Sequence, residues 1–396
     1  MKKNILFIYS IPLFILFVLI LHGCGPSPEA NLQLKIAEVD SLFIKGVKAG
    51  ISNRDSLMDE QRLLAKKYTE KLDPARVPAE DLFAAGQLYF FAGAPEQAIT
   101  VLERKDLNQA DMDYLDFLFQ LYAQNQTLDK AKELFFTFIK PQKPPQGENY
   151  YYYLYYGYSE QGDLEQAMEI IDDGIVALEK QIANTLKIEK ADLLFNMGHK
   201  KDAMAILEEL SREKLLTRRL RASVQAKKNL FELIGKQAPE LLVEKWLDSE
   251  PLKIKNLRGK VILLDFWATW CRPCHIMFPH LKKLYSDYHE KGLEIIGVTR
   301  YYGMFNQMGQ DLRNISPADE LGWIEKFKAF HEIPFTYAVA GTKDGEINAK
   351  AYGVTGIPHM LLIDKKGRIR YYSIGSGRAS EDKLEKGVIE LLNENI

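Results

Sequence analysis

Three textures of hydrophobic spacing follow one another along the chain. After Lys2 and Lys3, an apolar run extends from Ile5 to Leu21, broken only by Ser10 and Pro12. Its 17 residues fall short of the ~20 that span a bilayer, and the order of basic start, apolar middle and small-residue exit is that of a secretory signal. From 30 to 78, Leu32, Ile36, Val39 and Phe43, then Leu57, Leu64 and Tyr68, predict short helices. From Asp81 to about Leu210 the chain aligns with itself on Ala98, Ala131, Ala167 and Ala203, at spacings of 33, 36 and 36. Gly93, Gln126, Gly162 and Gly198 precede these alanines by five residues, and Tyr89, Tyr122, Tyr158 and Leu194 by nine. Leu102, Phe135, Ile171 and Leu207 follow by four. A turn residue between two amphipathic stretches, with a small residue where they cross, predicts a helical hairpin in each unit. Beyond Lys236-Gln-Ala-Pro239 the spacing becomes that of short strands alternating with helices, which predicts a parallel or mixed α/β sheet.

Length and composition sharpen this division. A chain of 396 residues suits two or three folded units, and the textures place them as a signal at 1–23, a tether with short helices at 24–78, helical repeats at 79–230 and an α/β domain at 235–396. With 46% apolar and 27% charged residues it is neither a disordered chain nor a polytopic membrane protein. A net charge of −2 lacks the basic surplus that phosphate-backbone binding requires, so nucleic acid is not expected as a partner. Three cysteines are too few for a disulfide scaffold.

The Gly23-Cys24 junction after the apolar run resembles a bacterial lipoprotein signal, which implies lipidation of Cys24 and a chain held on the membrane outside the cytoplasm; His22 departs from the residue usual there. Two or more acyl chains anchor a protein stably. The four hairpin units are similar to tetratricopeptide repeats, whose period is 34 residues and which stack into a solenoid with a concave face suited to a peptide or protein partner. Seven tyrosines between Tyr150 and Tyr158 are too dense to face one way, and packing between hairpins accounts for most of them.

The chemistry lies in the third texture. Val261 to Trp267 is a near-continuous apolar run with Asp265 as its single charge, the pattern of a central strand covered on both faces. Ala268-Thr-Trp270 leads to Cys271-Arg-Pro-Cys274, and Met277, Leu281, Leu284 and Tyr288 then carry helical spacing. A cysteine where a strand hands over to a helix gains thiolate from the helix N-terminus and from Arg272. Cys274, one turn on, is within reach to resolve a mixed disulfide. Asp265 is placed to trade the protons. Cys271 to His275 also spells C-x-x-C-H, the attachment pattern of c-type haem, but the strand context favours redox thiols. One cysteine pair with scattered histidines makes no zinc site, so neither metal nor cofactor is expected.

Asp265-Phe-Trp-Ala-Thr-Trp-Cys-Arg-Pro-Cys274 resembles the active-site segment of the thioredoxin superfamily. Leu257-Arg-Gly-Lys260, Gly356-Ile-Pro358 and Met360-Leu-Leu-Ile-Asp364 resemble its membrane-tethered TlpA and ResA branch. The resemblance implies a multidomain chain, an all-α hairpin-repeat region followed by a thioredoxin-like domain. Cys271 then attacks, Cys274 resolves and Asp265 relays protons, while a cis Pro358, with Trp270, Ile357 and His359, receives the substrate. His359 stands where thioredoxins commonly have Thr; its imidazole is expected either beside the thiolate or in solvent. Tyr301 to Pro317, a polar stretch, is expected to leave the sheet at the cysteine edge and overhang the site, or to be a plain surface loop. The activity implied is reduction of protein disulfides, with electrons from a membrane donor, in the cell envelope on an unassigned leaflet. A repeat-based adaptor and a thiol peroxidase are the alternatives.

Overall fold

The computed structural model describes residues 31–48, 54–144 and 147–395. The signal and Cys24 lie outside them. Among the described residues no helix is long and apolar enough to cross a membrane. The chain forms two compact units that divide between Leu121 and Tyr122.

The first unit holds α1 (Leu32–Lys48), α2 (Arg54–Thr69), α3 (Leu82–Phe91), α4 (Pro95–Leu102) and most of α5 (Met112–Gln124). Val39, Leu57, Leu88 and Val101 are fully or almost fully buried in it. The hydroxyl of Tyr114 donates to the carbonyl of Leu102 at 2.7 Å.

The second unit continues with α6 (Leu128–Leu134), α7 (Glu148–Gln161), α8 (Leu164–Ala177), α9 (Lys180–Asn196), α10 (Lys200–Arg212) and α11 (Arg218–Leu233). The four aligned alanines each lie on the second helix of a hairpin and are wholly buried. The four aligned turn residues have φ of 76°, 60°, 80° and 87°, the left-handed conformation that ends a helix and that glycine adopts at least cost. Tyr150, Tyr151, Tyr155 and Tyr158 are buried, while Tyr156 is exposed.

Beyond α11 come β1 (Lys245–Leu247), β2 (Val261–Phe266), α12 (Arg272–Tyr288), β3 (Leu293–Arg300), β4 (Met304–Phe305), β5 (Leu312–Arg313), α13 (Pro317–Phe330), β6 (Thr336–Ala340), α14 (Thr342–Ala351), β7 (His359–Ile363), β8 (Ile369–Ile374) and α15 (Arg378–Asn393). The main sheet has the order β1-β6-β3-β2-β7-β8. β2, β3 and β6 run parallel, whereas β1, β7 and β8 pair antiparallel. β2 is buried along its whole length, as its near-continuous apolar run requires.

The two faces of this sheet are covered differently. On one, Val261, Leu263, Trp267, Met360 and Leu362 pack with both cysteines under α12, α13 and α15. On the other, Ile262, Leu264, Phe266, Leu361 and Ile363 share a core with Ala191, Leu207, Val224, Leu230 and Phe231 of α9 to α11. The last helices of the array thus complete the α/β core. A charged cluster lies in the same layer: Lys227 of α11 pairs with Asp192 of α9, whose carboxylate also accepts from the Tyr372 hydroxyl at 2.8 Å. Burial raises the pKa of Asp192, but the Lys227 ammonium and the Tyr372 hydrogen bond hold it below the usual range.

Candidate redox site

The site is built where β2 gives way to α12. Cys271 caps the helix, its sulfur accepting from the Cys274 N–H at 3.2 Å, and Pro273 stands in the first turn, where a missing N–H leaves no bond unmade. Cys271 and Cys274 form a disulfide, and they are only 3% and 1% exposed. The helix N-terminus supplies the Cys274 N–H and a partial positive charge, which favour a thiolate at Cys271 once the disulfide opens.

Alternation along β2 decides what faces the cysteines. Val261, Leu263 and Trp267 point toward α12 and Ile262, Leu264 and Phe266 away from it, so Asp265 lies on the cysteine face. It is 1% exposed, its Oδ1 has no hydrogen-bond partner, and burial raises its pKa from the ordinary 3.8 to about 7. A carboxyl with such a pKa gives and takes protons near neutrality.

The Ile357–Pro358 bond is cis. Pro358 is buried and its carbonyl accepts from the Gly375 N–H at 2.9 Å, which ties the loop to the end of β8. Ile357, Phe266, Trp267, Val298 and Tyr302 are among the residues lining a small cleft of about 50 Å³ beside it. Trp270 is 37% exposed and meets the Tyr302 ring edge-on, with centroids 5.4 Å apart.

His359 is neither beside the cysteines nor in solvent, and both expectations for it are corrected. Met360 faces the cysteine core, so the strand period turns His359 to the opposite face with Leu361 and Ile363. There it is fully buried, edge-on to Phe266 with centroids 6.3 Å apart, and both ring nitrogens lack a partner. Burial, with the nearby Lys227 charge, pushes its pKa down to about 3.

Tyr301 to Pro317 is more ordered than a polar loop. It contains the β4–β5 hairpin, and Phe305 is fully buried, stacked on Trp323 with centroids 5.0 Å apart. The Glu320 carboxylate of α13 accepts from the N–H groups of Tyr302 at 2.9 Å and Gly303 at 2.7 Å. That clamp sets Tyr302 against Trp270. Sequence reasoning missed Glu320, since a carboxylate in a helix reads as surface. It also missed Tyr337 of β6, which lies on the cysteine face and is wholly buried.

His275 keeps its Nε2 2.9 Å from the Thr269 carbonyl and stacks on Phe278. Among the described residues no group of three or more His, Cys, Asp or Glu side chains is arranged to hold a metal ion.

Residues 233–388 match the Redoxin family. The chain is 35% identical over 136 residues to the thiol-disulfide oxidoreductase ResA of Bacillus thuringiensis subsp. konkukian, spanning 34% of this chain and 66% of that protein. With ResA of Bacillus thuringiensis strain Al Hakam the identity is 32% over 152 residues, 38% of this chain and 75% of the relative. Among solved structures, a thiol-disulfide isomerase from Corynebacterium glutamicum aligns at 26% identity and a TM-score of 0.33, covering 40% of this chain and 98% of that one. The cysteine pair capping α12, the buried carboxyl behind it and the match to ResA over most of its length together assign the chain to the thioredoxin superfamily, among the ResA-like thiol-disulfide oxidoreductases.

Proposed function

We propose that the protein is a cell-envelope thiol-disulfide oxidoreductase that reduces disulfides of other proteins. The observation that carries this reading is the disulfide-bonded pair at the N-terminus of α12 with a buried, high-pKa carboxyl on the same face of the sheet. In the reduced enzyme, the Cys271 thiolate attacks one sulfur of a substrate disulfide; a Cys271–substrate disulfide forms and the first substrate thiolate leaves. The Cys274 thiol then passes its proton to the Asp265 carboxylate and attacks Cys271. The enzyme disulfide closes, the second substrate thiolate leaves, and two electrons have passed to the substrate. Pro358 and Ile357, with Trp270 across the cleft, hold the substrate chain against the pair.

A thiol donor in the membrane restores the dithiol. Cys24 carries the lipid that keeps the chain at that membrane. Residues 24–78 serve as the tether, the tetratricopeptide-like hairpins of 79–230 as a surface for a protein or peptide partner, and 235–396 as the catalytic domain. The test is reduction of insulin disulfides by the full chain with dithiothreitol as electron source. Cys271→Ser is expected to lower the rate by at least ~100-fold, as loss of a nucleophile does; an unchanged rate would remove the pair from the reaction.

A further inference from the structure

The space behind the cysteine pair holds a group that the mechanism above does not use. In the sheet register Asp265 of β2 stands opposite Gly297 of β3, and Gly297 stands opposite Tyr337 of β6. A Cβ at position 297 would come within 2.6 Å of the Tyr337 ring and 3.1 Å of Trp267 Nε1. The missing side chain is therefore what admits the phenol to the strip of sheet beside Asp265. Three polar atoms here are buried without a hydrogen-bond partner: Asp265 Oδ1, Trp267 Nε1 and Tyr337 Oη. The Trp267 and Tyr337 rings pack with centroids 4.6 Å apart. Native interiors rarely leave one such atom unpaired, and three on one patch call for a structural account.

We propose that Tyr337 is the positioning residue of Asp265: in the dithiol enzyme its hydroxyl donates a hydrogen bond to the Asp265 carboxylate, directly or through one water that Trp267 Nε1 also binds. This inference rests on the proposed exchange reaction. The bond stabilises the charged carboxylate, the form that takes the proton from Cys274, and so sets the pH at which the resolving thiol becomes reactive. The same core also holds Tyr301 and, packed against it, Tyr285, Tyr288, Tyr302 and Tyr371. α12 supplies Cys271, Cys274 and His275. α13 supplies Lys328, whose ammonium lies 5.4 Å from the Tyr337 ring centre and is held by Asp248 and by the Ile333 carbonyl. Opposite Asp265, β7 contributes Met360 and β3 contributes Gly297, neither of which titrates.

The test uses the full chain carrying Cys24→Ser, so that the pair holds the only thiols. Reaction of the reduced pair with Ellman's reagent forms the Cys271–thionitrobenzoate mixed disulfide and releases one thionitrobenzoate; attack by Cys274 on the Cys271 sulfur then closes the enzyme disulfide and releases a second, whose appearance is followed by absorbance. Asp265→Asn identifies the inflection in the pH–rate profile that belongs to Asp265 by abolishing it. In Tyr337→Phe, which removes one oxygen and leaves the ring, that inflection is expected to move up by about one pH unit, the effect of losing one hydrogen bond to a charged group. An inflection unmoved in Tyr337→Phe would overturn the inference. Should Tyr337→Phe fold poorly, Tyr337→Met, which also removes the hydroxyl and keeps an apolar side chain, is expected to shift the same inflection in the same direction, and an unmoved inflection there counts equally against the inference. Absence of the second thionitrobenzoate release from the parent chain would instead refute the exchange reaction itself.

Discussion

Asp265 and His359 lie on opposite faces of one sheet, and burial favours the neutral form of each. For Asp265 the folded pKa of about 7 exceeds the ordinary 3.8. The folded state therefore binds more protons than the unfolded one between these values, so this contribution to stability is complete below pH ~4 and is lost as pH rises through ~7. For His359 the folded value of about 3 lies below the ordinary 6.5, so its contribution is complete above pH ~6.5 and is lost as pH falls toward ~3. His359→Leu removes the second dependence. Relative to the parent chain, its stability is expected to improve progressively as pH is lowered from 7 to 4, by roughly 2 to 3 kcal/mol. Denaturant melts of the two chains at a series of pH values check this, and a difference that stays constant with pH would contradict it. Asp265 was legible in the sequence because it is the one charge in an apolar strand. His359 was not, because which face it takes depends on where β7 begins, and the residue after a proline carries no mark of that. Tyr337 sits in Phe335-Thr-Tyr-Ala-Val-Ala340, which reads as any buried strand; only the register with Gly297 gives it meaning.

Elements were legible wherever one periodicity acted alone. The hairpins announce themselves because each needs a small residue at the crossing and a left-handed residue at the turn. Ala98, Ala131, Ala167 and Ala203 meet the first need, and Gly93, Gln126, Gly162 and Gly198 the second. β2 and α12 were equally plain, since an apolar run of strand length is followed at once by a helix that a cysteine caps. The stretch after β3 was not. Its polar residues hide Tyr301 and Phe305, which are buried, and its order comes from Glu320, a carboxylate placed by a different element. A segment held by a distant side chain has no local period to read. The consequence for the site is a fixed wall beside the cysteine pair, in which Tyr302 stands against Trp270.

Across the whole molecule, the change of texture at Gly235 marks a change of secondary structure without a separation of cores. α9 to α11 cover one face of the catalytic sheet, and Tyr372 of β8 bonds to Asp192 of the array. Lys383 of α15 likewise donates to Asn196 at 2.8 Å. Removal of everything before Gly235 uncovers Ile262, Leu264, Phe266, Leu361 and Ile363 together with the buried His359. The fragment 235–396 is expected to bind a hydrophobic dye and to melt at least ~5 °C below the full chain, the effect of losing about 2 kcal/mol in a domain of this size; a dye-silent fragment melting with the full chain would contradict the shared core. For this reason the central claim is best tested on the full chain. The measurement is its reduction potential, by equilibration in dithiothreitol buffers and alkylation of the free thiols. The account predicts one two-electron transition, lost in Cys274→Ser, near the reducing value of about −270 mV known for thioredoxin. A transition near about −120 mV, the oxidising end of the superfamily, would make the protein a disulfide donor, and no two-electron transition would contradict the redox assignment outright.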